Sequence, residues 1–152
     1  MSTITIITLI VVGLVLIFIL LLYFTLFPPS KDLSRKKPYN DMIGKDLLVK
    51  REATVALNYP PYARFKPYIM VDSGGFLGDD IKPRYALKAG TPLRIQSVKQ
   101  YKNGTSGEER ILALGKVHVN ELNTEVEFEY EVGSTSLTPN GILWNHSKPL
   151  WQ

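Results

Sequence analysis

Asp72-Ser73-Gly74-Gly75 is the tetrapeptide best suited to chemistry: an acid and a hydroxyl on a glycine turn, directly after the apolar run Tyr68–Val71. Next to it, Gly74-Gly75-Phe76-Leu77-Gly78-Asp79-Asp80 is glycine-rich and acidic, the composition of phosphate and calcium loops. A phosphate loop opens a helix and brings a cation, whereas here no helical pattern follows and two aspartates would repel the anion. A calcium loop needs oxygen ligands at regular alternate positions, which this stretch lacks. The only histidines are His118 and His146, and there is no cysteine. Zinc then has no third nitrogen or sulfur ligand, and thiolate metal sites, disulfides and a cysteine nucleophile are all excluded. The stretch reads as a surface loop, and no cofactor or metal is expected.

The Asp72 tetrapeptide resembles two protease signatures, and the chain fails the physical requirements of both. A trypsin-like Ser73 needs a histidine base and an orienting aspartate upstream, on a much larger double barrel. Both histidines lie downstream. An aspartic-protease Asp72 needs a second such aspartate from a dimer partner, so that two carboxylates share a proton. It also needs a later apolar-apolar-Gly element, for which Ile111-Leu112-Ala113-Leu114-Gly115 is a poor substitute. The expected role is structural: Asp72 ends a strand, and its side chain bonds backbone N–H groups two residues on. A dimeric protease-like hydrolase using Asp72 stays as an alternative from another class.

Three aromatic features suit recognition better than catalysis. Tyr59-Pro60-Pro61-Tyr62-Ala63-Arg64-Phe65-Lys66-Pro67-Tyr68 is the densest aromatic and proline stretch. It suits either an extended segment gripped by a partner or a rigid crossover capping the domain. Trp144 and Trp151 lie in an apolar C-terminal tail, where an indole packs inward, enters a membrane interface or anchors a partner. Tyr59, Tyr62, Arg64, Phe65, Tyr68, Trp144 and Trp151 are therefore the candidate partner-binding residues.

All of these residues must be carried by elements, and the chain divides sharply. Residues 1–30 contain no charged side chain, and Ile4–Phe27 is apolar except for Thr5, Thr8, Gly13 and Thr25. As a helix, these residues extend about 36 Å, enough to cross a ~30 Å hydrocarbon core with tilt. Each threonine can return its hydroxyl to a helix carbonyl. Tyr23, Phe24 and Phe27 suit the interface, and Pro28-Pro29 stop the helix. The run is too long for a signal peptide and lacks a basic start and a small-residue cleavage site, so residues 1–29 are expected to be a retained anchor.

Residues 31–51 carry seven cations and three acids, whereas residues 52–152 carry eleven of each sign. The excess of +4 therefore belongs to one short segment and does not point to nucleic acid. Residues 30–45, with three prolines counting Pro28-Pro29 before them, read as a basic extended spacer. Lys31, Arg35, Lys36 and Lys37 are the candidate membrane-surface residues, and by the positive-inside rule they put the C-terminal domain in the cytoplasm. Two sequons, Asn103-Gly-Thr105 and Asn145-His-Ser147, favour the extracytoplasmic alternative.

From residue 46 the hydrophobic period becomes two. Asp46–Leu57 alternates, with Arg51 interrupting its apolar face; in Glu125–Val132 four glutamates oppose Val126, Phe128, Tyr130 and Val132. That glutamate face reads as solvated. Further strands are expected at Tyr68–Val71, Tyr85–Leu87, Leu93–Val98, Ile111–Val119 and Ile142–Trp144, with Asn103–Gly107 as a hairpin loop. Residues 46–152 thus read as an all-β soluble domain of five to seven strands, a small barrel or sandwich. The turn and strand Leu87-Lys88-Ala89-Gly90-Thr91-Pro92-Leu93-Arg94-Ile95 resemble bacterial SH3-type barrels, which implies an SH3-like barrel. The expected function is that of a non-enzymatic accessory, scaffold or adaptor subunit. Its partners would be the lipid bilayer and other membrane-complex proteins, with no nucleic acid. An extracytoplasmic module binding envelope polymer or lipid is the alternative.

Overall fold

The computed structural model describes residues 2–26, 30–57, 65–75, 77–78, 81–103, 106–138, 141–146 and 148–152. Thr3–Leu26 forms one helix, α1, long and apolar enough to cross a bilayer. Ser2 Oγ accepts the Thr5 N–H at its start (3.3 Å), and the Thr8 and Thr25 hydroxyls donate to the carbonyls of Ile4 (2.9 Å) and Leu21 (2.8 Å). Its large apolar side chains from Ile4 to Phe24 are exposed.

Nine strands follow: β1 (Lys31–Asp32), β2 (Asp46–Leu48), β3 (Ala53–Leu57), β4 (Tyr68–Asp72), β5 (Arg84–Leu87), β6 (Pro92–Lys102), β7 (Glu109–Val119), β8 (Thr124–Thr138) and β9 (Gly141–His146). All join one sheet in the order β1-β6-β7-β8-β4-β3-β5, with β2 also on β6 and β9 also on β8. Among the described residues every strand-to-strand ladder is antiparallel except β4 with β8.

The barrel and sandwich expectations are both corrected: this is a single open sheet, strongly curled. β5 and β6 stand five strand positions apart, about 24 Å in a flat sheet, yet only residues 88–91 join them. Five extended steps reach at most about 18 Å, so the sheet must bend its ends together. No ladder closes the gap among the described residues. Val49 bridges it instead, donating to the Thr91 carbonyl (2.9 Å) and accepting from the Gly90 N–H (2.7 Å).

The curl encloses one core, with Val55, Met70, Ile95, Val98, Phe128 and Leu150 among its most buried members. Odd-numbered Leu93 and Ile95 and even-numbered Val98 all face it because a bulge at Gln96 shifts the parity of β6. The single strand expected over Asp46–Leu57 is broken at residues 49–52, where Arg51 leaves the apolar face.

The expected spacer is also corrected, because residues 31–45 are folded onto β6. Leu33 is buried, donates to the Val98 carbonyl (2.8 Å), and is followed by Ser34, whose Oγ accepts the Val98 N–H (2.9 Å). A 3-10 turn at Tyr39–Asp41 leads to Ile43, which bridges Ile95 in parallel, and Gly44 donates to the Ile95 carbonyl (2.9 Å). Tyr39, Met42 and Ile43 pack on the core.

Gly115 marks the tightest packing. A Cβ there would stand 2.5 Å from the Arg94 carbonyl oxygen and 3.1 Å from the Phe128 ring. Gly115→Ala should therefore cost about 1–3 kcal/mol through forced backbone movement, read as a lower denaturant midpoint of the full chain in detergent.

Candidate functional site

Two clusters combine several expected site residues. The first surrounds Asp72. Its carboxylate accepts the Tyr130 hydroxyl at 2.9 Å and lies 3.2 Å from Arg51 Nη2. The same Arg51 nitrogen donates to the Lys148 carbonyl at 2.8 Å, and Lys50 N–H to that of Leu150 at 2.8 Å. Tyr130 in turn meets Trp151 edge-to-face, with centroids 5.5 Å apart. This network latches the C-terminal tail to the sheet. Burial, then the bond to Asp72 and that residue's negative charge, push the Tyr130 phenol well above its ordinary value. The backbone carbonyl of Asp72, rather than its side chain, accepts the turn N–H of Gly75 (2.7 Å), so the expected side-chain turn bond is corrected.

The described residues of the downstream loop, Leu77, Gly78 and Ile81, are held by Arg84. Arg84 donates to the carbonyls of Ile81 (2.7 Å), Leu77 and Gly78, and Ile81 is buried. Asp79 and Asp80 lie outside the described residues.

Of the proline- and aromatic-rich stretch, the described residues Phe65 and Lys66 lie on the outer face of the sheet. Phe65 donates its N–H to Glu129 Oε2 at 2.9 Å, and Lys99 Nζ lies 5.0 Å above its ring. Glu129 is on β8 and Lys99 on β6, so Phe65 lies across β7, where Leu112 and Leu114 are buried. Lys66 pairs with Glu127 (2.9 Å), and the hydrogen bond it gives holds that carboxyl below the ordinary range. The glutamate face is solvated only in part: Glu125 is exposed, and Glu127 and Glu131 stay open to water while meeting Lys66 and, at 3.6 Å, Arg110, whereas Glu129 is buried. Tyr68 is half-buried on β4, its ring 6.5 Å from that of Tyr85. Tyr59, Tyr62 and Arg64 lie outside the described residues.

The second cluster is the end of the sheet from which α1 departs. Lys31, Gln100, Ile111, Gly133 and His146 form one continuous row of partners across β1, β6, β7, β8 and β9. Beyond this row, on the same side, the chain leads back from Lys31 to α1 and forward into the β8–β9 hairpin. Trp144 and Leu143 of that hairpin are exposed, at 42% and 54%, and the Trp144 ring stacks on His146 at 5.9 Å. Next to it lies a cleft of about 540 Å³ lined by Tyr39, Met42, Val132, His146 and Lys148. Lys31, Arg35, Lys36 and Lys37 are all exposed.

Trp151 is the expected partner residue that the structure removes from the surface, since it is buried against Tyr130. Tyr39, Met42 and His146 carried no periodic signal and come together only through the folding of residues 31–45. No family model, curated protein or solved structure matches this chain.

The latch predicts a specific pH dependence. An unfolded tyrosine ionises near pH ~10 while buried Tyr130 stays neutral, so this group's contribution is complete below pH ~10 and is lost as pH rises past it. Tyr130→Phe should flatten the alkaline fall in denaturant midpoint. Asp72→Ala, which strands a buried hydroxyl, should cost about 1–3 kcal/mol, and less once Tyr130 is already Phe.

Proposed function

We propose that the chain is a single-pass membrane protein whose β-domain is a non-enzymatic accessory or adaptor module held flat against the bilayer surface. The observation that carries this reading is the length of the tether. Five peptide steps separate Leu26 of α1 from Lys31 of β1, a reach of at most about 18 Å, and Lys31 is already part of the sheet. A domain so placed can present surfaces to neighbouring membrane proteins but cannot search far from the membrane.

The non-enzymatic part draws on the occupation of the best candidate acid: the Asp72 carboxylate is engaged by Tyr130 and Arg51 in a latch. Exposed Lys31, Arg35, Lys36 and Lys37 favour the cytoplasmic side, with head-group contact at roughly 1 kcal/mol per cation. The SH3-type likeness is proposed only for the turn at residues 88–91 feeding β6 within a curled sheet.

Crosslinking in native membranes, followed by sedimentation in mild detergent, should recover the chain in an assembly larger than its 17.2 kDa. Recovery solely as free monomer would contradict an accessory role. A reporter fused after Gln152 should be active only on the cytoplasmic side, and activity on the opposite side would transfer the module to the envelope.

A further inference from the structure

The β8–β9 hairpin has the composition and position of a membrane contact. Between Glu131 and Lys148 no residue is an aspartate, glutamate, lysine or arginine. Its backbone pairing runs to Thr138↔Gly141, well past the row that contains Lys31. Trp144 pairs with Thr135 and Leu143 with Ser136, two and three residues beyond His146, so they stand about 7–10 Å past that row. Adjacent strand residues point to opposite faces, and Leu143 and Trp144 are both exposed on β9, although Thr135 opposite Trp144 is buried where its Oγ1 accepts the Glu109 N–H (2.8 Å).

The direction is set by topology. Traced backwards from Lys31, the chain leaves the row on the same side as the hairpin tip and reaches the end of α1 within about 18 Å. Laterally, β1 and β9 are four strand spacings apart, roughly 19 Å. The site where α1 would enter the bilayer and the uncharged hairpin therefore lie at one end of the domain.

We propose that the β8–β9 hairpin inserts into the interfacial layer of the same membrane that α1 crosses, with Trp144 and Leu143 as its anchoring side chains. Tryptophan suits that depth because its ring is apolar while its N–H remains hydrated. The inference rests on the anchor reading. It adds a second foot, which fixes the rotation of the domain about the helix axis and so decides which face is offered to partners.

The test uses the full chain in phosphatidylcholine vesicles containing lipids brominated near the head group. The emission that Trp144 contributes should be lost on adding the brominated lipid, because bromines near the head group and an interfacial indole share one depth. In Trp144→Phe the remaining Trp151, buried in the domain core, should be nearly unquenched. Leu143→Asp should relieve the quenching of Trp144 while leaving the far-ultraviolet spectrum unchanged. Equal quenching in wild type and Trp144→Phe, or none in either, with the chain still resisting carbonate extraction, would overturn the hairpin contact alone. A blue-shifted Trp144 emission that bromolipid does not quench would overturn it in favour of cover by a second copy. Release by carbonate would overturn the anchor reading, and this inference with it.

Discussion

A chain of five peptide steps connects the apolar helix to a strand that is already paired, and the arrangement of the β-domain follows from that restriction. Because β1 and β2 both pair with β6, the segment leaving the helix is stitched along one strand from Gln100 down to Pro92. Neither β1 nor β2 is long enough to be stable as an isolated ladder. Their stability comes from Leu33, Tyr39, Met42 and Ile43 packing on the core they help to cover.

The second restriction is the connection at residues 88–91, which draws the two ends of the sheet together without pairing them. Closure is delegated to Val49, in the gap between β2 and β3, and the interruption of the strand there frees Arg51 to reach Asp72 and the tail. The open seam thus accounts for the latch: a curled sheet without a final ladder needs side chains and a terminal segment to seal it. Leu150 and Trp151 supply the apolar part of that seal.

The strand pattern was legible because β8 alternates over Glu125–Val132, and the apolar helix was legible because its run of apolar residues is unbroken by any charge. The fold of residues 31–45 was hidden because its signals are non-local. Leu33 and Ile43 are separated by prolines and cations, and they acquire partners only when β6 lies beside them. Glu129 misled for a related reason: alternation puts it on the same face as three other glutamates, but only the returning Phe65 segment, 64 residues earlier, buries it. Periodicity reports which face a residue occupies and is silent on what crosses that face. Likewise, Trp144 and Trp151 read alike in sequence, and the hairpin and the latch send them to opposite environments.

The docking of residues 31–45 is the central claim, and a distance across the tether tests it most directly. With no native cysteine, Thr25→Cys and Lys102→Cys give a clean spin-labelled pair. Six extended steps to Lys31 and its pairing beside Gln100 predict a narrow distance distribution below about 30 Å in bilayers. A broad distribution reaching beyond about 45 Å, as a flexible spacer over residues 30–45 would allow, would contradict the account.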